Sequence, residues 1–199
     1  MNKSRLEAYT DAIIAIIITL MVLNIQPPNN AIYFHQLGQS AHQFFIYTCS
    51  FLLLSMYWNN HHHLLQPVKQ INGTVLWMNN LFIFTMTLIP FATHWLTNHL
   101  DNLDPELLYG TVVLAGDSAY ALLTWALLKA NPGKMYHQAM QSQIHKLYLS
   151  LTFNVLGLLS AFIKPVLTLL ISGGVVILLW FIPDRSMEKL TKQKNINHQ

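Results

Sequence analysis

Charge is scarce in this chain. Only 10% of its 199 residues are Asp, Glu, Lys or Arg, against roughly a quarter in an average soluble domain, while 53% are hydrophobic. So little charge cannot clothe an aqueous globule, and it points to a bilayer. Cysteine is nearly absent as well: Cys49 stands alone, which excludes an intramolecular disulfide and a thiolate metal centre. No glycine-rich nucleotide loop, calcium-binding loop or series of regularly spaced arginines occurs. No polar stretch is long enough for a soluble catalytic domain, so the chain is expected to work inside the membrane and not as an enzyme.

What is present is apolar and segmented. Six apolar stretches cover residues 10–25, 41–64, 75–97, 107–128, 147–163 and 166–182. Each approaches the roughly 20 residues that cross a hydrocarbon core. The expected fold is all-α, with six membrane-spanning helices in residues 1–185 and a polar cytoplasmic tail over residues 186–199. The first stretch follows Lys3 and Arg5, as in a signal peptide. However, Glu7 and Asp11 interrupt the basic flank, and the run ends in Asn-Ile-Gln-Pro-Pro without a small-residue cleavage pattern.

The basic residues orient the segments. With a cytoplasmic N-terminus, Lys3, Arg5, Lys69, Lys129, Lys134, Lys146, Arg185, Lys189, Lys192 and Lys194 lie inside and only Lys164 lies outside. That asymmetry follows the positive-inside rule and places both termini in the cytoplasm. It also accounts for the net charge of +3 without a nucleic-acid partner. Between the spans, Pro27-Pro28 ends helix 1, residues 31–40 suit an outer loop or interfacial helix, and Asn131-Pro132-Gly133 is a turn. Asp104-Pro105-Glu106 reads as a helix start with Asp104 as cap, and Pro90 should kink helix 3. Asp101, Asp104 and Glu106 suit an outer loop.

Polar residues within such segments are costly and mark either function or helix association. On helix 1, Ile16, Leu20 and Leu23 form one stripe with Thr19 beside it, a pattern that fits a packing seam or the lining of a path. Arg5 and Tyr9 share a face, whereas Asp11 points about 120° away from Arg5 and needs a partner on another helix. Helix 2 ends in Tyr57-Trp58-Asn59-Asn60-His61-His62-His63. Three consecutive histidines fan out by about 100° each and cannot converge on one metal; His61 or His62 bonded to helix 1 or 3 fits better. Trp77, Asn79 and Asn80 open helix 3 at the same depth. Asp117, deep in helix 4, calls for protonation or for a Tyr, Ser or Trp partner from a neighbouring helix. With the histidines it offers a second reading of the chain, a proton-coupled secondary transporter.

Together these residues resemble the transmembrane protein 175 family, the potassium channels of lysosomes and their smaller bacterial relatives. Its Arg-x-x-x-Phe-Ser-Asp motif corresponds to Arg5, Tyr9, Thr10 and Asp11, with two conservative departures. Its Tyr-Trp-x-x-His resembles Tyr57, Trp58 and His61. Its Asn-Leu with a later Pro-Phe resembles Asn80-Leu81 and Pro90-Phe91. The resemblance covers helices 1 to 3. It implies a potassium channel of a bacterial plasma membrane, embedded in lipid and assembled as a homotetramer, with four copies of helix 1 lining a central pore. It also implies a hydrophobic gate and filter at Ile16, a threonine layer at Thr19 and further rings at Leu20 and Leu23. Arg5, Asp11, Trp58, His61 and Asn80 would hold helix 1 in register. No cofactor or resident metal is implied beyond permeating potassium and other monovalent cations. The Thr-Val-Gly-Tyr-Gly filter is absent, so selectivity over sodium should be modest and should rest on dehydration at an apolar ring.

Overall fold

A computed structural model describes residues 2–23, 25–28 and 32–181. Among them every regular element is helical: α1 (Lys3–Val22), a 3₁₀ helix (Phe34–Ser40), α2 (Ala41–Leu65), α3 (Gly73–Asn98), α4 (Leu103–Ala130), α5 (Lys134–Ser160), a π-helical segment (Leu169–Val175) and α6 (Val176–Phe181). The fold is all-α, as the sequence indicates. The expected tail lies outside the described residues.

Local chemistry sets several boundaries. The Asn72 side chain accepts from the Val75 backbone N–H at 3.0 Å and caps α3. Asp101 takes a left-handed φ of 65° in the turn between α3 and α4, a conformation that aspartate tolerates better than most residues. α4 then begins at Leu103 after Asn102, so Asp104 is a first-turn residue and not the cap. Pro105 is tolerated there because first-turn N–H groups have no helical acceptor. Between α4 and α5, Asn131 bonds back to the loop before α3: its Oδ1 accepts from the backbone N–H groups of Lys69 and Gln70 at 3.0 and 2.9 Å.

The expected spans are revised at both ends of the chain. α1 starts seven residues before the apolar run does, because the Arg5–Asp11 cluster is itself helical. α5 starts at Lys134, far before residue 147, through a polar first half. The last stretch is not one α-helix. It turns at Pro165 and passes through the π segment, which contains Ser172-Gly173-Gly174, before α6. Among the described residues two helices, α3 and α4, are both long and apolar enough to cross a membrane, each with an 18-residue stretch of mean hydropathy 1.5. α3 continues unbroken through Pro90.

α3 packs closely on α4, and α1 rests on α2 and α3. Leu6, Ile14, Ile17 and Met21 are the buried apolar residues of α1. At the centre the Phe82 ring meets Tyr57 and Tyr120 edge-on and stacks on His61, each with ring centroids 5.7 Å apart. Small residues permit close approach elsewhere: a Cβ on Gly110 would lie 2.6 Å from Thr168 Cγ2. Such packing and interhelical hydrogen bonds hold membrane helices together, since lipid offers little hydrophobic drive between them.

Candidate functional site

α1 has two distinct sides. Leu6, Thr10, Ile14, Ile17 and Met21 are its buried residues, and their spacing of three and four makes them one stripe. Ile16, Leu20 and Leu23 are 56%, 51% and 71% exposed, and Thr19 is exposed with them. At about 100° per residue, Thr19 lies almost opposite the buried stripe, with Ile16 and Leu23 beside it. Within the single chain, this candidate path is therefore uncovered. The Thr19 hydroxyl donates to the Ile16 carbonyl at 2.8 Å. With its hydrogen so placed, the oxygen offers lone pairs to whatever lies on the exposed side.

At its N-terminal end α1 is tied to α2 and α3. Trp58 Nε1 donates to Asp11 Oδ1 at 2.9 Å, so Asp11 finds its partner on another helix, as its angular position requires. Behind it runs a buried chain. His61 Nε2 meets Asn79 Oδ1 at 2.9 Å, Asn79 Nδ2 donates to Thr10 Oγ1 at 3.0 Å, and Thr10 Oγ1 donates to the Leu6 carbonyl at 3.0 Å. Because the Thr10 hydrogen is used on Leu6, Asn79 must turn its NH₂ to Thr10 and its oxygen to His61. His61 Nε2 is then the donor, a tautomer assigned from this network.

Several sequence-derived candidates meet here and others do not. Thr10, Asp11, Trp58 and His61 join α1 to its neighbours. Asn79 fills the α3 position of the buried chain, while Asn80 is exposed. Arg5 and Tyr9 are exposed on α1, apart from this chain, and Lys3 pairs with Glu7 at 3.9 Å. The His62 and His63 rings lie edge to face, and among the described residues no three His, Cys, Asp or Glu side chains converge as a metal site.

Asp117 belongs to a second buried cluster. It is fully buried and accepts from Tyr57 Oη at 2.6 Å through Oδ1, and through Oδ2 from Asn154 Nδ2 at 2.7 Å and from the Ser150 hydroxyl. The tyrosine and serine partners are of the expected types. Ser150 and Asn154 were missed as individuals, although their spacing of four within an apolar run is a readable sign of one polar face. Asp117 takes its bonds from these neutral donors, whereas His61 is bonded to Asn79. Glu106, expected in an outer loop, is fully buried and accepts from the Leu169 N–H at 3.1 Å, beside the π segment.

Long apolar helices linked by buried polar chains fit a helical membrane protein. The family described as "Endosomal/lysosomal potassium channel TMEM175" matches residues 5–90. A potassium channel of Chryseobacterium sp. (strain P1-3) is 36% identical over 195 residues, covering 97% of this chain and all of that protein. A potassium channel of Streptomyces collinus (strain DSM 40733 / Tue 365) is 30% identical over 137 residues, covering 65% of this chain and 66% of the relative. The fold matches the crystal structure of a lysosomal potassium-selective channel TMEM175 homolog from Chamaesiphon minutus. That match has a TM-score of 0.78 and 22% identity, and it covers 89% of this chain and 95% of that one. The chain belongs to the family of the endosomal/lysosomal potassium channel TMEM175.

Proposed function

We propose that the protein is a potassium-selective cation channel of a bacterial plasma membrane, with six spans per chain and both termini in the cytoplasm. Four copies of α1 line its pore. The observation that carries this reading is the uncovered face of α1: Ile16, Thr19, Leu20 and Leu23 point away from the protomer's own core. A helix placed on a fourfold axis turns that face toward its copies and a column of ions, where the Thr19 oxygen meets cations that lipid would not supply.

The residues supply the parts of a selective path. An isoleucine ring at Ile16 offers no ligands, so an ion passing it sheds water, and potassium does so at lower cost than sodium. Thr19, whose hydroxyl hydrogen is on the Ile16 carbonyl, presents oxygen lone pairs one turn further along and replaces part of the lost shell. Leu20 and Leu23 add apolar rings, and a narrowed ring closes the path by dewetting. Asp11 draws cations to the inner mouth while Trp58, His61 and Asn79 hold α1 in place. Arg5, Tyr9 and Asn80, exposed in the protomer, complete the network at the pore mouth in this reading.

Purified protein in liposomes tests the assignment. Ile16→Asn should lower the preference for potassium over sodium, because an amide ring lets hydrated ions pass. An unchanged permeability ratio would refute the filter at Ile16.

A further inference from the structure

One short piece of α2 makes bonds in two directions. Tyr57 and Trp58 are consecutive, so their side chains diverge by about 100°. Tyr57 turns inward to Asp117, and Trp58 turns outward to Asp11 of α1. His61, one turn on from Tyr57, reaches Thr10 of α1 through Asn79. α1 packs on α2 and α3, so its placement depends on where those two helices stand.

Asp117 fixes α2. Its carboxylate gathers one donor from α2 and two from α5, joining three helices at one buried point. A Cβ on Gly116 would lie 3.2 Å from Tyr57 Oη, so the glycine leaves room for the hydroxyl to reach its acceptor. On the same α2–α4 contact, Tyr120 Oη donates to the Asn60 carbonyl at 3.1 Å. Asp117 lies beyond residues 5–90, the region of the family match.

We propose that Asp117 is a positioning residue for the cation path: it anchors Tyr57, and the rigid Tyr57–His61 stretch of α2 carries that anchor to Asp11 and Thr10 at the inner end of α1. The inference rests on α1 being the path. Asp117 itself binds no permeating ion in this role, since it is fully buried and both its oxygens accept hydrogen bonds inside the protomer.

The test is a double-mutant cycle in the assembled protein. Tyr57→Phe keeps the ring packed on Phe82 and deletes only the hydroxyl; Asp117→Asn replaces one acceptor oxygen with an NH₂ donor. Each should lower potassium flux per assembled channel by roughly threefold or more, the factor lost with one interhelical bond, and should change the ratio of potassium to sodium permeability. Tyr57→Phe combined with Trp58→Phe should be no worse than the poorer single variant. Multiplied losses refute the proposal, as does a lowered unfolding temperature with flux and selectivity unchanged. If Asp117→Asn does not assemble, Tyr57→Phe decides. Hydrogen exchange over residues 5–12 gives a readout independent of conduction. It should rise in Tyr57→Phe as it does in Trp58→Phe, and no rise overturns the proposal even if the wild-type protein carries no potassium.

Discussion

Replacing Asn79 should loosen the inner end of α1, and replacing its neighbour Asn80 should not loosen it by this route. Asn79 is fully buried and links His61 of α2 to Thr10 of α1 through bonds of 2.9 and 3.0 Å. Asn79→Ala deletes both. Thr10 keeps its own bond to the Leu6 carbonyl, but the His61 N–H, with its ring stacked on Phe82, loses its acceptor. Interhelical bonds in membranes contribute about 0.6 to 2 kcal/mol each, and an orphaned buried donor costs roughly 1–3 kcal/mol. The sum, discounted for overlap, is about 2–4 kcal/mol. That corresponds to a fall in unfolding temperature of about 4–16 °C for a chain of this size.

Asn79→Asp separates the two bonds. A carboxylate still accepts from His61, but it presents oxygen where Thr10 requires an N–H, so it should recover only part of the loss. Thermal unfolding in detergent and potassium flux in liposomes measure both effects. An Asn79→Ala variant silent in both assays, beside an Asn80→Ala variant several degrees less stable, would refute this role for Asn79.

Other substitutions test the packing and the path. Gly110→Ala should destabilise by about 1–3 kcal/mol, because the added Cβ would sit 2.6 Å from Thr168 Cγ2 and 2.8 Å from Leu158 Cδ2. Gly73→Ala, at the first residue of α3 with nothing within 4 Å of the added atom, is the control, and equal unfolding temperatures for the two would contradict the close approach. Thr19→Val keeps the side-chain shape and removes the oxygen. Potassium flux should fall and selectivity over sodium should drop, as read from bi-ionic reversal potentials; wild-type values would remove Thr19 from the path.

The motif on α1 was legible because its meaning is angular. Asp11 is too far around the helix from Arg5 to pair with it, and the partner, Trp58, was already conspicuous at the end of α2. Asp117 was legible for a similar reason, since a carboxyl deep in an apolar helix needs donors. The identity of its α5 partners was not, because a serine and an asparagine among leucines and phenylalanines announce a polar face without saying what it meets. Glu106 misled in the opposite direction. It sits with two other acids at a helix start and resembles a solvated residue until the break at Leu169 supplies a buried N–H for it.

By itself the sequence determined the helical class, the membrane setting and the family, because composition, apolar run length and short motifs are properties of the chain alone. Tertiary structure decided which of two adjacent asparagines faces the interior, since neighbours on a helix diverge by about 100° and only packing fixes the zero of that rotation. It also decided that α5 begins in a polar stretch and that the last apolar run breaks into a π segment. Hydropathy records what a segment can bury, whereas the neighbours that receive it determine where the helix starts and bends.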